Sequence, residues 1–412
     1  MKTRLSALLL FLMASGFAWA QPVQIEVWHS LSTSFGAPQI ESFVAQFNEE
    51  QSEIEVNLVY AGGYTDALVK GQAAVAAGVA PNVSMFEQTR GAGFVDAGAI
   101  LSLNDRLDST PDLSLDNFFE RLLATCDYDG TLYCIPYNTS TPVLYYNKDL
   151  FAEAGLDPEA PPTTWDEYLR FGDAISQLGD DRWGIGVTTR PGWLFDSFLG
   201  QAGGRYLNED GAFAFNGQPA LDVLAFWQQI IDSGAGKAST SQTEDFFNGN
   251  QAMLLASTAQ LTNYFGRAPF DLGVGQLPCN VECYAAIGGA NFYLLDTGTD
   301  EQKDAAWTFL TWLIKPERLA EFAVATGYMA AQKSALETPL LMERLAELPA
   351  ARVTYDQMES HGYPRTLVPF WGEVHAQLTL IAEEVLLGGA DPQATLDSAV
   401  EEANRLLEVY AE

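Results

Sequence analysis

Three histidines, four cysteines and a large excess of carboxylates are the groups in this chain that could do chemistry. His29, His361 and His375 have none of the spacings that place two imidazoles on one metal ion. No Gly-x-Ser-x-Gly nucleophile elbow occurs. Gly234-Ala-Gly-Lys-Ala-Ser239 has the composition of a phosphate loop but lacks the Gly-x4-Gly-Lys-Ser/Thr spacing, and reads as a turn. Asp and Glu number 54 against 21 Lys and Arg, for a net charge of -33. With carboxylates this abundant, a pair at glycosidase spacing carries no information. A secreted carbohydrate-active enzyme is therefore the weaker reading, and a protein that binds without catalysis, with no cofactor and no metal, is expected. The acidic coat disfavours nucleic acid and anionic membrane as partners.

The cysteines form two close pairs. Cys126 and Cys134 flank Asp127-Tyr128-Asp129-Gly130, and Asp-Gly signals a hairpin turn. Cys279 and Cys283 enclose three residues. In an exported chain this pattern predicts two local disulfides, with a shared zinc site as the alternative. Export is indicated at the start: Lys2 and Arg4, the apolar run Leu8–Leu12, and Ala18-Trp19-Ala20 make a secretory leader cut after Ala20. The expected mature protein begins at Gln21, is periplasmic and monomeric, and carries a net charge of -35 once Lys2 and Arg4 are gone.

The elements that must position any site alternate. Ile25–His29 reads as a strand, and Ile40, Phe43, Val44 and Phe47 mark one face of a helix. Ile54–Tyr60 is a second strand, about Tyr64–Ala77 a helix, and Asn82–Phe86 a third strand. The pattern restarts after Asn138: Val143–Tyr146 is strand-like, Thr164-Trp165-Asp166-Glu167 is a capping box opening a helix, and Gly184–Val187 and Ala252–Ala256 are strands on either side of a helix carrying Leu221, Leu224, Ala225 and Ile230. Strand-helix-strand repetition predicts parallel sheets covered by helices. Asn291–Asp296 reads as a late strand, and helices at about 301–314, 316–325, 370–387 and 392–411 finish the chain. The fold class is α/β, a two-lobed clamp with an interlobe cleft. Ligands of such sheets bind beyond the carboxyl ends of the strands.

Several stretches carry a family resemblance. The longest runs from Asn138 to Phe151 (NTSTPVLYYNKDLF) and on to Trp165; others are Val27–Ser30, Ala61–Tyr64, Phe246–Met253, Ile287–Ala290, Thr326–Tyr328 and Ala394–Val400. In these the chain resembles the extracellular solute-binding family of ABC importers, which includes maltose-binding and glycerol-3-phosphate-binding receptors, and is most similar to the glycerol-3-phosphate branch. The resemblance implies a periplasmic binding protein clamp with lobe 1 at 21–131 plus 287–328 and lobe 2 at 139–275 plus 340–412. Hinge crossings are implied at 132–138, 276–286 and 329–339. It further implies a receptor that captures glycerol-3-phosphate or a glycerophosphodiester, with a mono- or oligosaccharide as the alternative, and an inner-membrane ABC permease as partner.

Carried over position by position, the implied ligand contacts are Tyr64, Glu87, Ser140, Trp165, Ser257, Gly289 and Tyr328. Their chemistry suits a polyol. A carboxylate accepts hydroxyl hydrogens, tyrosine and serine hydroxyls rotate to donate or accept, an indole offers its face, and glycine lets backbone N–H groups come close. Where the branch has a phosphate-binding Arg, an ungapped alignment places His375, with Arg365 ten residues earlier as the other candidate. A neutral imidazole replaces a rigid, permanently charged fork by one donor. If His375 holds the anion, affinity should rise as pH falls toward roughly 5.5.

Overall fold

The computed structural model describes residues 21–111, 113–189 and 191–411. The expected leader and its cleavage site lie outside them.

The first sheet has the order Ile54–Tyr60, Val23–His29, Val83–Glu87, Gly288–Leu294, Cys134–Ser140. Its first three strands are parallel, as the strand-helix-strand rhythm predicts. Helix Ala37–Glu50 buries Ile40, Phe43, Val44 and Phe47 against them, the stripe expected from their spacing. Gly288–Leu294 then runs antiparallel to both of its neighbours, so the sheet is mixed rather than parallel. The second sheet has the order Leu272–Gly275, Pro142–Asn147, Gln251–Ser257, Trp183–Val187, Gly236–Ala238 and is also mixed, with Pro142–Asn147 antiparallel to its partners. Both departures have one cause. A strand that enters a sheet from the other lobe is not bound by the right-handed crossover that makes consecutive strands parallel.

The strand assignments also move the crossings. Cys134–Ser140 belongs to the first sheet, so the chain leaves that lobe at Thr141 and not within 132–138. Between Leu272–Gly275 of the second sheet and Gly288–Leu294 of the first, the chain runs through Gln276–Ile287. The third crossing is displaced furthest. Met329, Ala335, Leu341, Tyr355 and Met358 all pack into the first core, and the second core begins with Phe370 and Trp371. Helix Pro339–Glu347 therefore packs with the first lobe, whereas Pro349–His361 bridges the two: Tyr355 and Met358 join the first core, and Ala351 packs with Val143, Tyr145 and Leu272 of the second sheet. The second and third crossings are tied together. Ala285–Ala286 pairs in parallel with Gly362–Tyr363, and the rings of Tyr284 and Tyr363 stack 4.2 Å apart.

Disulfides Cys126–Cys134 and Cys279–Cys283 are both formed, and no group of three or more candidate metal ligands occurs among the described residues. Both bridges close short loops, so each contributes at most a few kcal/mol. Among the described residues no helix is long and apolar enough to cross a membrane.

Candidate functional site

A cavity of about 320 Å³ lies where the two sheets point their strand ends at each other. Each contributing strand ends in a residue that lines it: Glu87 from Val83–Glu87, Ser140 from Cys134–Ser140 and Ser257 from Gln251–Ser257, with Gly288 and Gly289 at the start of the returning strand. Gly289 has φ of +108°, and an added Cβ would lie 1.9 Å from the carbonyl oxygen of Asn138, so only glycine fits there.

The centre of the cavity is electrostatic. Arg365, on the third crossing, donates from Nη1 to Glu87 Oε1 at 2.5 Å and from Nε to Asp196 Oδ2 at 2.7 Å. All three side chains are at least nine-tenths buried. Glu87 is held on its other oxygen by the Thr89 hydroxyl at 2.5 Å and the Thr89 N–H at 3.2 Å, and Asp196 accepts from the Tyr206 hydroxyl at 2.5 Å. One guanidinium thus joins a carboxylate of the first lobe to a carboxylate of the second. Buried charges persist only when paired and hydrogen-bonded, and this triad meets that condition. Arg90 adds a second cation, 3.9 Å from Glu87.

Aromatic groups close the sides. Tyr64 accepts at its hydroxyl from Asn138 Nδ2 at 3.0 Å, and burial pushes its ionisation well above the ordinary tyrosine range, so it stays neutral. Tyr328 stacks on Phe322, with ring centroids 5.6 Å apart, and leans on Phe35. Trp193 opens helix Trp193–Gln201 and abuts the opposite lobe: an added Cβ on Gly288 would lie 2.6 Å from its Cζ3. His375, in helix Trp371–Leu386, lines the wall beside Gly192, and its Nε2 is buried without a hydrogen-bond partner. Burial, and next the nearby charge of Arg365, hold His375 below the usual imidazole range.

A larger hollow, of about 960 Å³, follows the edge strand Leu272–Gly275. Its ion pair, Lys148–Glu159, leaves Glu159 exposed. Convergence of buried charge and hydroxyls, rather than volume, assigns the site to the cleft.

Residues 42–350 match the family model of bacterial extracellular solute-binding proteins. The chain belongs to that family. The sn-glycerol-3-phosphate-binding periplasmic protein UgpB of Escherichia coli K12 is 30% identical over 431 aligned positions, which cover 98% of this chain and 96% of that protein. Among solved structures, UgpB of Mycobacterium tuberculosis in complex with glycerophosphocholine superposes with a TM-score of 0.85 at 24% identity, over 94% of this chain and 99% of that one. The cyclic alpha-maltosyl-1,6-maltose binding protein of Arthrobacter globiformis superposes with a TM-score of 0.81 at 27% identity, again over 94% and 99%. These relatives are binding proteins. The chain is thus a solute-binding receptor of the ABC-importer class, built as the two-lobed clamp.

For this solute-binding protein, Tyr64, Glu87, Ser140, Ser257, Gly289, Tyr328 and His375 all line the cleft cavity. Trp165 does not. It is 6% exposed in the core of the second lobe, its ring stacks on Phe226 at 4.4 Å, and its Nε1 donates to Gln201 at 2.7 Å. The spacing of Trp165, Tyr168, Gly172 and Ile175 places it on the buried stripe of its helix. Phe35, Thr89, Arg90, Trp193 and Trp371 also line the cavity, without having been read from the sequence. A signal existed for Trp193, since Pro191-Gly192 follows the carboxyl end of strand Trp183–Val187, where α/β lobes present ligand contacts. Arg365, the other candidate beside His375, is the buried cation at the centre.

Proposed function

We propose that this receptor captures a glycerol-phosphate ester, glycerol-3-phosphate or a glycerophosphodiester, in the periplasm and delivers it to an inner-membrane ABC permease. One observation carries the reading: a buried arginine and a pinned carboxylate, Arg365 and Glu87, face the same small cavity as Ser140, Ser257 and the Gly288–Gly289 backbone. Glu87 is an acceptor for glycerol hydroxyls. Arg365, with Arg90 near by, supplies positive charge for a phosphate, and serine hydroxyls and glycine-rich backbone complete an anion cradle. UgpB of Escherichia coli, named for sn-glycerol-3-phosphate binding, supports the ligand class.

A neutral sugar is the second reading, because Arg365 is already paired with Glu87 and Asp196 and, with Arg90 beside Glu87, the local charge is balanced. The same balance favours a diester, with one negative charge, over a dianionic monoester. Titration calorimetry with glycerol-3-phosphate, glycerophosphocholine and maltose separates the readings. Heat from a phosphate compound at one site per chain is expected. Heat from maltose alone would transfer the protein to the sugar class.

A further inference from the structure

The cleft continues past the cavity around Glu87. Phe35, Gly192 and Trp193 line both that cavity and a second hollow of about 600 Å³. The outer hollow is walled by loops at the carboxyl ends of second-lobe strands: Thr189 follows Trp183–Val187, and Ser239 and Thr240 follow Gly236–Ala238. Gln260 and Asn263 line it from the turn and helix after Gln251–Ser257. Ser34 and Phe35 reach it from the first lobe, so it too lies between the lobes.

Hydroxyl and amide side chains, groups that donate and accept in turn, share its lining with Phe35, Trp193, Tyr264 and the aliphatic Leu194, Leu254 and Leu255. Asn263 Nδ2 donates to Gln260 Oε1 at 2.9 Å, which leaves the Asn263 oxygen and the Gln260 amide hydrogens for other partners. One acid, Glu244, and one base, Arg267, line the hollow, so it carries no net charge. A quaternary ammonium has neither N–H groups nor lone pairs and would leave these groups to water. A ring or chain of hydroxyls would engage them.

We propose that the site is bipartite. The inner cavity takes the glycerol phosphate, and the outer chamber takes a neutral, polyhydroxylated alcohol esterified to the other side of the phosphate, such as inositol or a second glycerol. Trp193, braced on Gly288, separates the two and presents its indole face to the alcohol. The inference rests on the glycerol-phosphate reading and deepens it by naming the substituent.

Titration calorimetry with glycerol-3-phosphate, glycerophosphocholine and glycerophosphoinositol tests it on the mature chain. Glycerophosphoinositol should bind at least tenfold more tightly than glycerophosphocholine. Asn263→Trp, which fills the outer chamber from an exposed position, should abolish that advantage and leave glycerol-3-phosphate affinity within twofold. Thr240→Phe fills the same space from another loop and should act alike. Equal affinities for the two diesters, or an advantage that survives both substitutions, would overturn the bipartite site while the glycerol-phosphate reading stands. No heat from any of the three would overturn both.

Discussion

Of the three tryptophans that open helices in the second lobe, Trp165 and Trp193 face opposite ways. Trp165 begins Trp165–Ser176 and is buried against Phe226; Trp193 begins Trp193–Gln201 and lines the cleft. Upstream backbone makes the difference. Before Trp165, Thr164 is extended and caps the helix by accepting from the Glu167 N–H. Trp165 N–H donates to the Cys279 carbonyl at 3.0 Å, and Cys279 N–H donates to Thr163 at 2.8 Å. The helix start is clamped to the second crossing and its first side chain turns inward. Before Trp193, Gly192 has φ of +49° and ψ of -128°, a conformation that side chains with a Cβ rarely adopt. The chain turns sharply there, and the first residue of the helix meets the other lobe. A capping pattern locates a helix start, whereas the face that residue presents depends on the stripe downstream and the turn upstream.

Substitution sharpens the contrast. Trp165→Ala should lower unfolding free energy by about 3–5 kcal/mol, the usual effect of truncating a buried aromatic, and leave ligand affinity within a factor of two. Denaturant titration and calorimetry on the same preparation check both. Trp193→Ala should do the reverse, weakening ligand binding by about 1–3 kcal/mol with a smaller loss of stability. A large stability loss for Trp193→Ala with unchanged affinity would make the two tryptophans equivalent and break the contrast.

His375 gives the smallest effect. Its folded-state value lies below the ordinary 6.5, from burial first and Arg365 second, against the opposing pull of Asp196 and Glu87 and with a further push from Arg90. The unfolded chain therefore binds the proton more readily. The contribution of His375 to stability is complete above pH 6.5 and is lost as pH falls toward its lowered folded value. His375→Gln should flatten this part of the stability profile measured between pH 7 and pH 5.

Much of the architecture was legible in local pattern. The face of helix Ala37–Glu50 and the late helices Asp300–Leu313, Pro316–Thr326 and Trp371–Leu386 follow from local pattern, and the disulfide pairs from close spacing together with export. Partners were not legible. Asn291–Asp296 reads as a strand in sequence, but the insertion of Gly288–Leu294 between Val83–Glu87 and Cys134–Ser140 is a long-range choice. The crossing at 329–339 is implied by resemblance, and no local pattern shows that Tyr355 and Met358 pack into the first core. Arg365 sits on the third crossing. Its position between Glu87 and Asp196 depends on where the lobes meet, and no local spacing carries that information.

A glycerol-phosphate ester is expected to draw the two lobes together across the Glu87–Arg365–Asp196 bridge. Small-angle scattering of the protein, without ligand and then with saturating glycerophosphodiester or maltose, tests this, because hinge closure shortens the molecule. The radius of gyration should shrink with the phosphate ester and stay unchanged with maltose. A radius that shrinks only with maltose, or that stays constant with phosphate ester shown to be bound, would contradict it.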